Sequence, residues 1–561
     1  MHDYLAQVSV FVSVFLLLAA SLNLVLGFGG IFSIMQAVFY GIGAYAAALL
    51  VVKANAPFPL ELLGAFFVSA VVATLVAFVI MRLSDELVII GTLALQLIFS
   101  AVFRNWDAVT GGSYGIFGIG RPSIFGATIA SVAAYASLAA TVALLCYVLA
   151  LWLGRSPFGL ALRAQREDPV LAASLGHDPV NEKRVVFIFA GGIAGVAGGL
   201  YAQYVGYIDP TSFDVTQSLA IITIVVVGGL ANLWGTLGAA LVLTLIPQLI
   251  ILLPAASDAA AQIQLLLYGL ILVLIVRFWP HGFIPERPAV RAGRLRTVKV
   301  ATPGDPGAPL DRLASIPITP LRRLAPVVRV VDVKKRFGGI DAVDGVTLEI
   351  EPARVTALIG PNGAGKTTLF NVVCGLLRAD GGSVAIGDRE TTHARPFEIA
   401  RLGVTRTFQD VRIFPRLTAL ENVVFALRDA DVERALQRLS DVGLLDYADR
   451  FAGTLSYAQQ KLLMISMVLA REDPLVFLDE IAAGLDHRSV RAFALLIRRL
   501  AASGRAVCLV EHNLSFVWEA ADMVFVLDQG RIIAAGSPAE IQVDPHVMEI
   551  YFGNSVLPAR P

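Results

Sequence analysis

The most specific chemistry in the chain lies in one stretch, Gly360-Pro361-Asn362-Gly363-Ala364-Gly365-Lys366-Thr367-Thr368. It fits G-x-x-x-x-G-K-[ST], a phosphate-binding loop. Glycines let successive backbone N–H groups turn inward on an anion with no Cβ in the way. The Lys366 ammonium can reach the β- and γ-phosphates of a nucleoside triphosphate, and the Thr367 hydroxyl suits Mg²⁺. ATP and Mg²⁺ are the expected ligands. The surroundings agree. Val355-Thr356-Ala357-Leu358-Ile359 reads as a buried strand, and Thr367–Val373 as the start of a helix whose positive end faces the phosphates. A chance Gly-rich turn would not bring strand, loop and helix together in this order.

A second constellation is Pro474-Leu475-Val476-Phe477-Leu478-Asp479-Glu480, an apolar strand ending in two carboxylates. A buried strand of this kind delivers Asp479 to a Mg²⁺ site. Glu480 then stands where it can polarise an attacking water as general base. Capping or an ion pair is the ordinary alternative for two acids at a strand end. Phe337, just before Gly338-Gly339, offers a face for adenine, with core packing as the rival reading. Cys146, Cys374 and Cys508 have no metal-ligand spacing and read as small buried apolar residues.

The elements that position these groups make up only part of the chain. At 561 residues it exceeds a single core, and two or more domains are expected. Hydrophobic residues are 56% and charged residues 16%, which points to a membrane protein. Charges are scarce before about residue 280 and common after it. Lys+Arg is 44 and Asp+Glu is 44, so net charge gives no sign of a nucleic-acid partner. The expected architecture is an all-α polytopic membrane domain over 1–285, a Pro- and Arg-rich linker over 286–326, and an α/β P-loop NTPase domain over 327–555.

About nine apolar runs approach bilayer length: Leu5–Leu26, Ile31–Val52, Leu60–Met81, Leu87–Phe103, Thr128–Leu153, Val185–Val205, Leu219–Leu233, Leu237–Leu253 and Ile263–Phe278. The first lacks a basic flank and reads as a membrane helix. The second, rich in small residues, can be broken. The seventh and eighth meet at Asn232-Leu233-Trp234-Gly235, which leaves room only for a tight hairpin or re-entrant pair. The spans carry almost no charge. Asn23, Gln36, Gln96 and Gln262 are the polar exceptions, more often helix–helix glue than ligand contacts. Arg155, Arg163, Arg166, Lys183 and Arg184 mark one loop as cytoplasmic, and the basic tail after Pro280 marks another. Counting back puts the N-terminus outside, along with Arg104 and Arg121. Within the basic loop, Asp168–Gly176 is alanine-rich and helix-forming. It reads either as a docking helix for an ATPase or as an ordinary surface helix. The linker prolines predict an extended tether, whose early arginines either rest on anionic lipid or are simply solvated.

With these residues in view, the chain resembles ABC importers of the branched-chain amino acid type, permease fused to ATP-binding subunit. The permease resemblance rests on Leu26-Gly27-Phe28-Gly29-Gly30, Gly41-Ile42-Gly43-Ala44-Tyr45, Thr110-Gly111-Gly112-Ser113-Tyr114-Gly115, Ala194–Leu200 and Val227-Gly228-Gly229-Leu230. It also includes Arg163, Ala172, Ala173 and Gly176, and implies that their loop is the coupling loop. In the other half, Leu455-Ser456-Tyr457-Ala458-Gln459 resembles the ABC signature, with Ser456 as N-cap. The resemblance implies that it contacts ATP held by the opposite ATPase. It also makes Gln409 the Q-loop residue beside Mg²⁺, His512 the switch histidine and Asp486 the D-loop residue. Two departures stand out: Ala458 replaces a signature glycine, and Ile481 replaces a proline after Glu480. The resemblance implies a bacterial inner-membrane importer with a cytoplasmic ATPase. It further implies a second permease and a second ATPase, or a homodimer, and a periplasmic binding protein. Urea, amides or aromatic acids are alternative cargoes to branched-chain amino acids. Short loops argue against an exporter, and the signature helix argues against a GTPase or kinase. A membrane-tethered regulatory ATPase is the rival of another class.

Overall fold

A computed structural model describes residues 2–124, 127–251, 260–279, 281–292, 311–483 and 487–552. The chain divides into two units. The first comprises 1–166 and 179–289, and the second 167–178 and 290–561.

The first unit is helical: α1 (His2–Leu22), α2 (Gln36–Ala54), α3 (Phe58–Ile80), α4 (Asp85–Asn105), α5 (Val132–Arg155) and α6 (Pro157–Glu167, largely in this unit). The short α7 (Pro169–Ser174) belongs to the second unit. Then come α8 (Pro179–Val205), α9 (Val215–Gly228), α10 (Leu233–Ile251) and α11 (Ala260–Phe278). Each of the nine expected apolar runs contains a helix among the described residues. Among the described residues, six stretches are long and apolar enough to cross a bilayer: Asp3–Phe28, Gln36–Ala54, Phe58–Ile80, Asp85–Asn105, Val132–Arg155 and Pro179–Val205. The remaining three contain shorter apolar helices. The 14 residues of α9 rise only about 21 Å against a hydrocarbon core of about 30 Å. The anticipated break lies before α2 and not within it. A π-helical turn, Asn23–Phe28, follows α1, and the chain is non-helical from Ile31 to Met35.

Close helix approach holds this unit together. A Cβ on Gly43 would lie 2.2 Å from Gly195 O, so α2 and α8 pack backbone to backbone. The polar exceptions bridge helices, as expected. Asn23 donates to Thr236 Oγ1 at 2.6 Å and to Gly229 O at 3.2 Å, and accepts from Ala231 N at 2.9 Å. It thereby fastens the tight α9–α10 turn to the π turn. Gln36 Nε2 donates to Ser21 Oγ at 2.6 Å, and Gln96 Nε2 to Phe213 O at 3.0 Å. The side chain of Gln262 lies outside the described residues. The spans are not free of charge, however. Glu61, in the first turn of α3, is wholly buried and accepts from Gln203 Nε2 at 2.7 Å. One acid in a long apolar run was the signal that sequence reasoning passed over.

The second unit contains two sheets. Its strands are β1 (Val328–Phe337), β2 (Ile340–Ile350), β3 (Val355–Ile359), β4 (Gly381–Ile386), β5 (Arg389–Glu390), β6 (Val404–Arg406), β7 (Leu475–Asp479), β8 (Ala506–Val510), β9 (Met523–Asp528) and β10 (Arg531–Gly536). The main sheet runs β6-β7-β8-β3-β9-β10, parallel except for its last pair. The smaller one is antiparallel, in the order β2-β1-β4-β5. Every residue of β3, β7 and β8 is buried, which explains why these strands read as unbroken apolar runs. Their carboxyl ends lie side by side, the place where open α/β sheets present ligand-binding groups. Helix α12 (Lys366–Val373) follows the loop after β3, and α15 (Tyr457–Arg471) precedes β7, with α13 (Ala419–Ala426) and α14 (Val432–Asp441) between them.

The described end of the linker is not a free tether. Asp311–Ser315 forms a 3₁₀ turn, and Leu313 and Ile316 are buried. Leu321 N donates to Ser503 O at 2.9 Å, and Ala325 N to Gly504 O at 3.0 Å. Pro317 and Pro320 interrupt helix beyond that turn, but they do not prevent an extended strip from docking through its remaining N–H groups.

Candidate functional site

The phosphate-binding loop curls between β3 and α12. Gly360 and Gly365 carry φ of +154° and +100°, and a Cβ on either would come within 2.1 Å of a backbone oxygen, that of Leu527 or Ala342. Only glycine fits both constraints. Lys366 is buried, and its Nζ donates to Gly360 O at 2.7 Å and Pro361 O at 2.9 Å. Burial lowers its pKa, while the charges of Glu480 and Asp479 work the other way. Thr367, in the first turn of α12, is exposed at the loop.

Asp479 ends β7 with its Oδ1 buried and without a hydrogen-bond partner among the described residues. Its backbone N donates to Thr407 Oγ1 at 2.9 Å, tying the strand end to the segment that carries Gln409. Burial pushes the Asp479 carboxyl up to about 6, against the pull of Arg406 and Lys366. Glu480 gathers two further groups: Gln409 Nε2 donates to its Oε2 at 3.0 Å, and His512 Nδ1 lies 3.7 Å from the same oxygen. Gln409, Glu480 and His512, far apart in sequence, thus converge on one point. The donor set of Thr367, Gln409 and Asp479 is all oxygen, and its one buried carboxylate oxygen lacks a partner. That fits a hard divalent cation such as Mg²⁺.

Phe337 ends β1 at 47% exposure, with Lys335 Nζ 5.4 Å from its ring centroid. That exposure removes the core-packing alternative. Ser456 caps α15 through a capping box with Gln459, and Ser456, Tyr457 and Ala458 are exposed at its N-terminus. Leu455 is buried just before it. Asp486 lies outside the described residues. Ile481 is buried and lines one small cavity together with Val468, Leu478 and Phe493.

The alanine-rich loop belongs to the second unit. Asp168 caps α7 by accepting from Val170 N at 3.0 Å and Leu171 N at 2.8 Å. It also pairs with Arg412 at 3.1 Å, three residues beyond Gln409. His177 stacks on Phe425 with centroids 4.2 Å apart, and Gly176 O accepts from Arg401 Nε at 2.9 Å. Ala172 and Ala173 are buried, and Gly176 carries φ +95°. Arg163 lies in α6 within the first unit, buried, 3.4 Å from Glu286. Sequence reasoning missed Thr407, Arg412, Lys461 and Glu511. The last two are charges at otherwise buried positions, the one pattern that could have flagged them.

The family described as "Branched-chain amino acid transport system / permease component" matches residues 4–276. "ABC transporter" matches 343–483, and "Branched-chain amino acid ATP-binding cassette transporter" matches 531–556. The high-affinity branched-chain amino acid transport ATP-binding protein BraF of Pseudomonas aeruginosa is 36% identical over 41% of this chain and 99% of its own length. LivG of Escherichia coli, described in the same words, is 34% identical over 41% of this chain and 99% of its own. A probable LivG of Methanocaldococcus jannaschii is 32% identical over 42% and 100% respectively.

Proposed function

The chain belongs to the branched-chain amino acid ABC transporter family, with permease and ATP-binding components in one polypeptide, and from that premise we propose that it is one half of an importer of leucine, isoleucine and valine in the bacterial inner membrane. Its ATPase domain binds nucleotide and hydrolyses ATP coupled to transport. Phe337 stacks on adenine. The N–H groups of Gly360–Thr368 and the Lys366 ammonium hold the β- and γ-phosphates. Thr367, Asp479 and Gln409 would hold Mg²⁺, which would supply charge neutralisation at the phosphates. Glu480, fixed by Gln409, takes the proton of the attacking water, and His512 contacts the γ-phosphate. The protein thus contributes mainly positioning and electrostatics.

Leu455–Gln459 and Asp486 serve the nucleotide across a second ATPase, so the chain works with a partner permease and ATPase, or with a copy of itself. A periplasmic binding protein delivers the cargo. The observation that carries this reading is the loop Glu167–Asp178. It lies in sequence between two permease helices, yet it packs in the ATPase unit beside the strand end that bears Gln409. Ala172, Ala173 and Gly176 then pass nucleotide-driven motion to the permease.

The test is uptake of labelled leucine into ATP-loaded proteoliposomes, with candidate binding proteins outside and urea, acetamide and benzoate as parallel cargoes. ATP-dependent leucine uptake that Glu480→Gln abolishes supports the reading. Uptake of another cargo alone overturns the substrate. Hydrolysis with no uptake of any cargo favours the regulatory ATPase.

A further inference from the structure

Two buried charges beside the catalytic turn have no part in the chemistry above. Lys461, in α15, is 4% exposed, and its Nζ donates to Ala483 O at 2.6 Å. Glu511, just after β8 and next to His512, is 0% exposed, and its Oε1 accepts from Ala482 N at 2.8 Å. The two side chains come from different elements and grip the same short turn, one through a C=O and the other through an N–H. Burial lowers the pKa of Lys461 and raises that of Glu511, while the Glu511 charge supports the Lys461 ammonium.

That turn needs holding. Glu480 sits at φ +46°, the left-handed region that a side chain disfavours. The turn's own hydrogen bond, Ala483 N to Glu480 O, is long at 3.3 Å. Ile481 leaves free a φ that proline would fix. Gln409 and His512 restrain the carboxylate end of Glu480, and its backbone N–H donates to Val510 O at 2.9 Å, which leaves the turn beyond it, Ile481–Ala483, to be held from elsewhere.

We infer that Lys461 and Glu511 are positioning residues that clamp the Glu480–Ala483 turn and so aim the Glu480 carboxylate. The inference rests on Glu480 being the general base. It carries a consequence for coupling between sites. Lys461 stands on the helix that opens with Ser456, so any shift of that helix pulls on the catalytic turn of the same chain.

The experiment measures ATP hydrolysis by the full chain in proteoliposomes. Lys461→Met is expected to lower kcat about tenfold while KM for ATP stays within about twofold, because water attack and not nucleotide binding is disturbed. Lys461→Arg, which can still donate to Ala483 O, is expected to return kcat to within about threefold of the parent. Should Lys461→Met fold poorly, the turn is read from its other side. Glu511→Met is expected to lose about tenfold in kcat, whereas Glu511→Gln, which keeps an acceptor for Ala482 N, loses less than about threefold. Parent-like kcat in both methionine variants overturns the clamp, as does failure of both conservative variants to recover. Glu480→Gln separates the two levels. Parent-like hydrolysis in that variant would remove the general-base reading itself. Lost hydrolysis there, with the methionine variants unaffected, would remove only the clamp.

Discussion

Asp168 performs two tasks at once, and they can be separated by substitution. Its carboxylate caps α7 through Val170 N and Leu171 N, and it pairs with Arg412 at 3.1 Å. Asparagine keeps the cap and loses the charge, whereas alanine loses both. An N-cap is worth about 1 kcal/mol. The ion pair is partly exposed, with side chains 20% and 38% accessible, so it is worth about 0.5–1 kcal/mol. Asp168→Asn and Arg412→Ala should therefore each weaken docking of the loop about two- to fivefold. Asp168→Ala should weaken it by about 2 kcal/mol, close to thirtyfold. The assay is leucine taken up per ATP hydrolysed in proteoliposomes, because a loop that undocks wastes hydrolysis without stopping it. The expected order of coupling is parent, then Asp168→Asn and Arg412→Ala together, then Asp168→Ala. In the double variant Asp168→Asn/Arg412→Ala, the second substitution should add little, because both remove the same pair. If asparagine proves as damaging as alanine, or if Arg412→Ala leaves the ratio untouched, the pairing does not hold the loop and the reasoning fails.

Two other outcomes follow from the geometry. Gly365→Ala would force a Cβ within 2.1 Å of Ala342 O at φ +100°. Binding of a fluorescent ATP analogue should fall at least about tenfold, with the permease helices intact by circular dichroism. Asn23→Ala leaves Ala231 N–H without its buried acceptor and cuts the tie to Thr236. The loss is about 1–3 kcal/mol, seen as a lower unfolding temperature of the solubilised full chain, and an unchanged temperature would count against the π turn as an anchor.

The sequence by itself located the ABC ATPase domain. Gly360–Thr368 and Asp479-Glu480 stand out there because a phosphate-binding loop and an acid-tipped strand need fixed spacing and particular residue types among neighbours in the chain. Hydrophobic runs likewise marked the apolar helices, six of them long enough to cross a bilayer among the described residues. Tertiary structure decided what depends on meetings between distant segments. Gln409 and His512 converge on one oxygen of Glu480. Glu61 shows in the sequence as one acid in an apolar run, but its partner Gln203 lies more than a hundred residues away. The loop after Glu167 joins the ATPase unit through Arg412, His177 and Gly176, and no local pattern in an alanine-rich helix encodes that destination. Lys461 and Glu511 are single charges among apolar neighbours, and what they do is explained by the backbone groups they meet on the turn at Ala482 and Ala483. Local chemistry is written along the chain, whereas complementarity between surfaces exists only once the chain has folded.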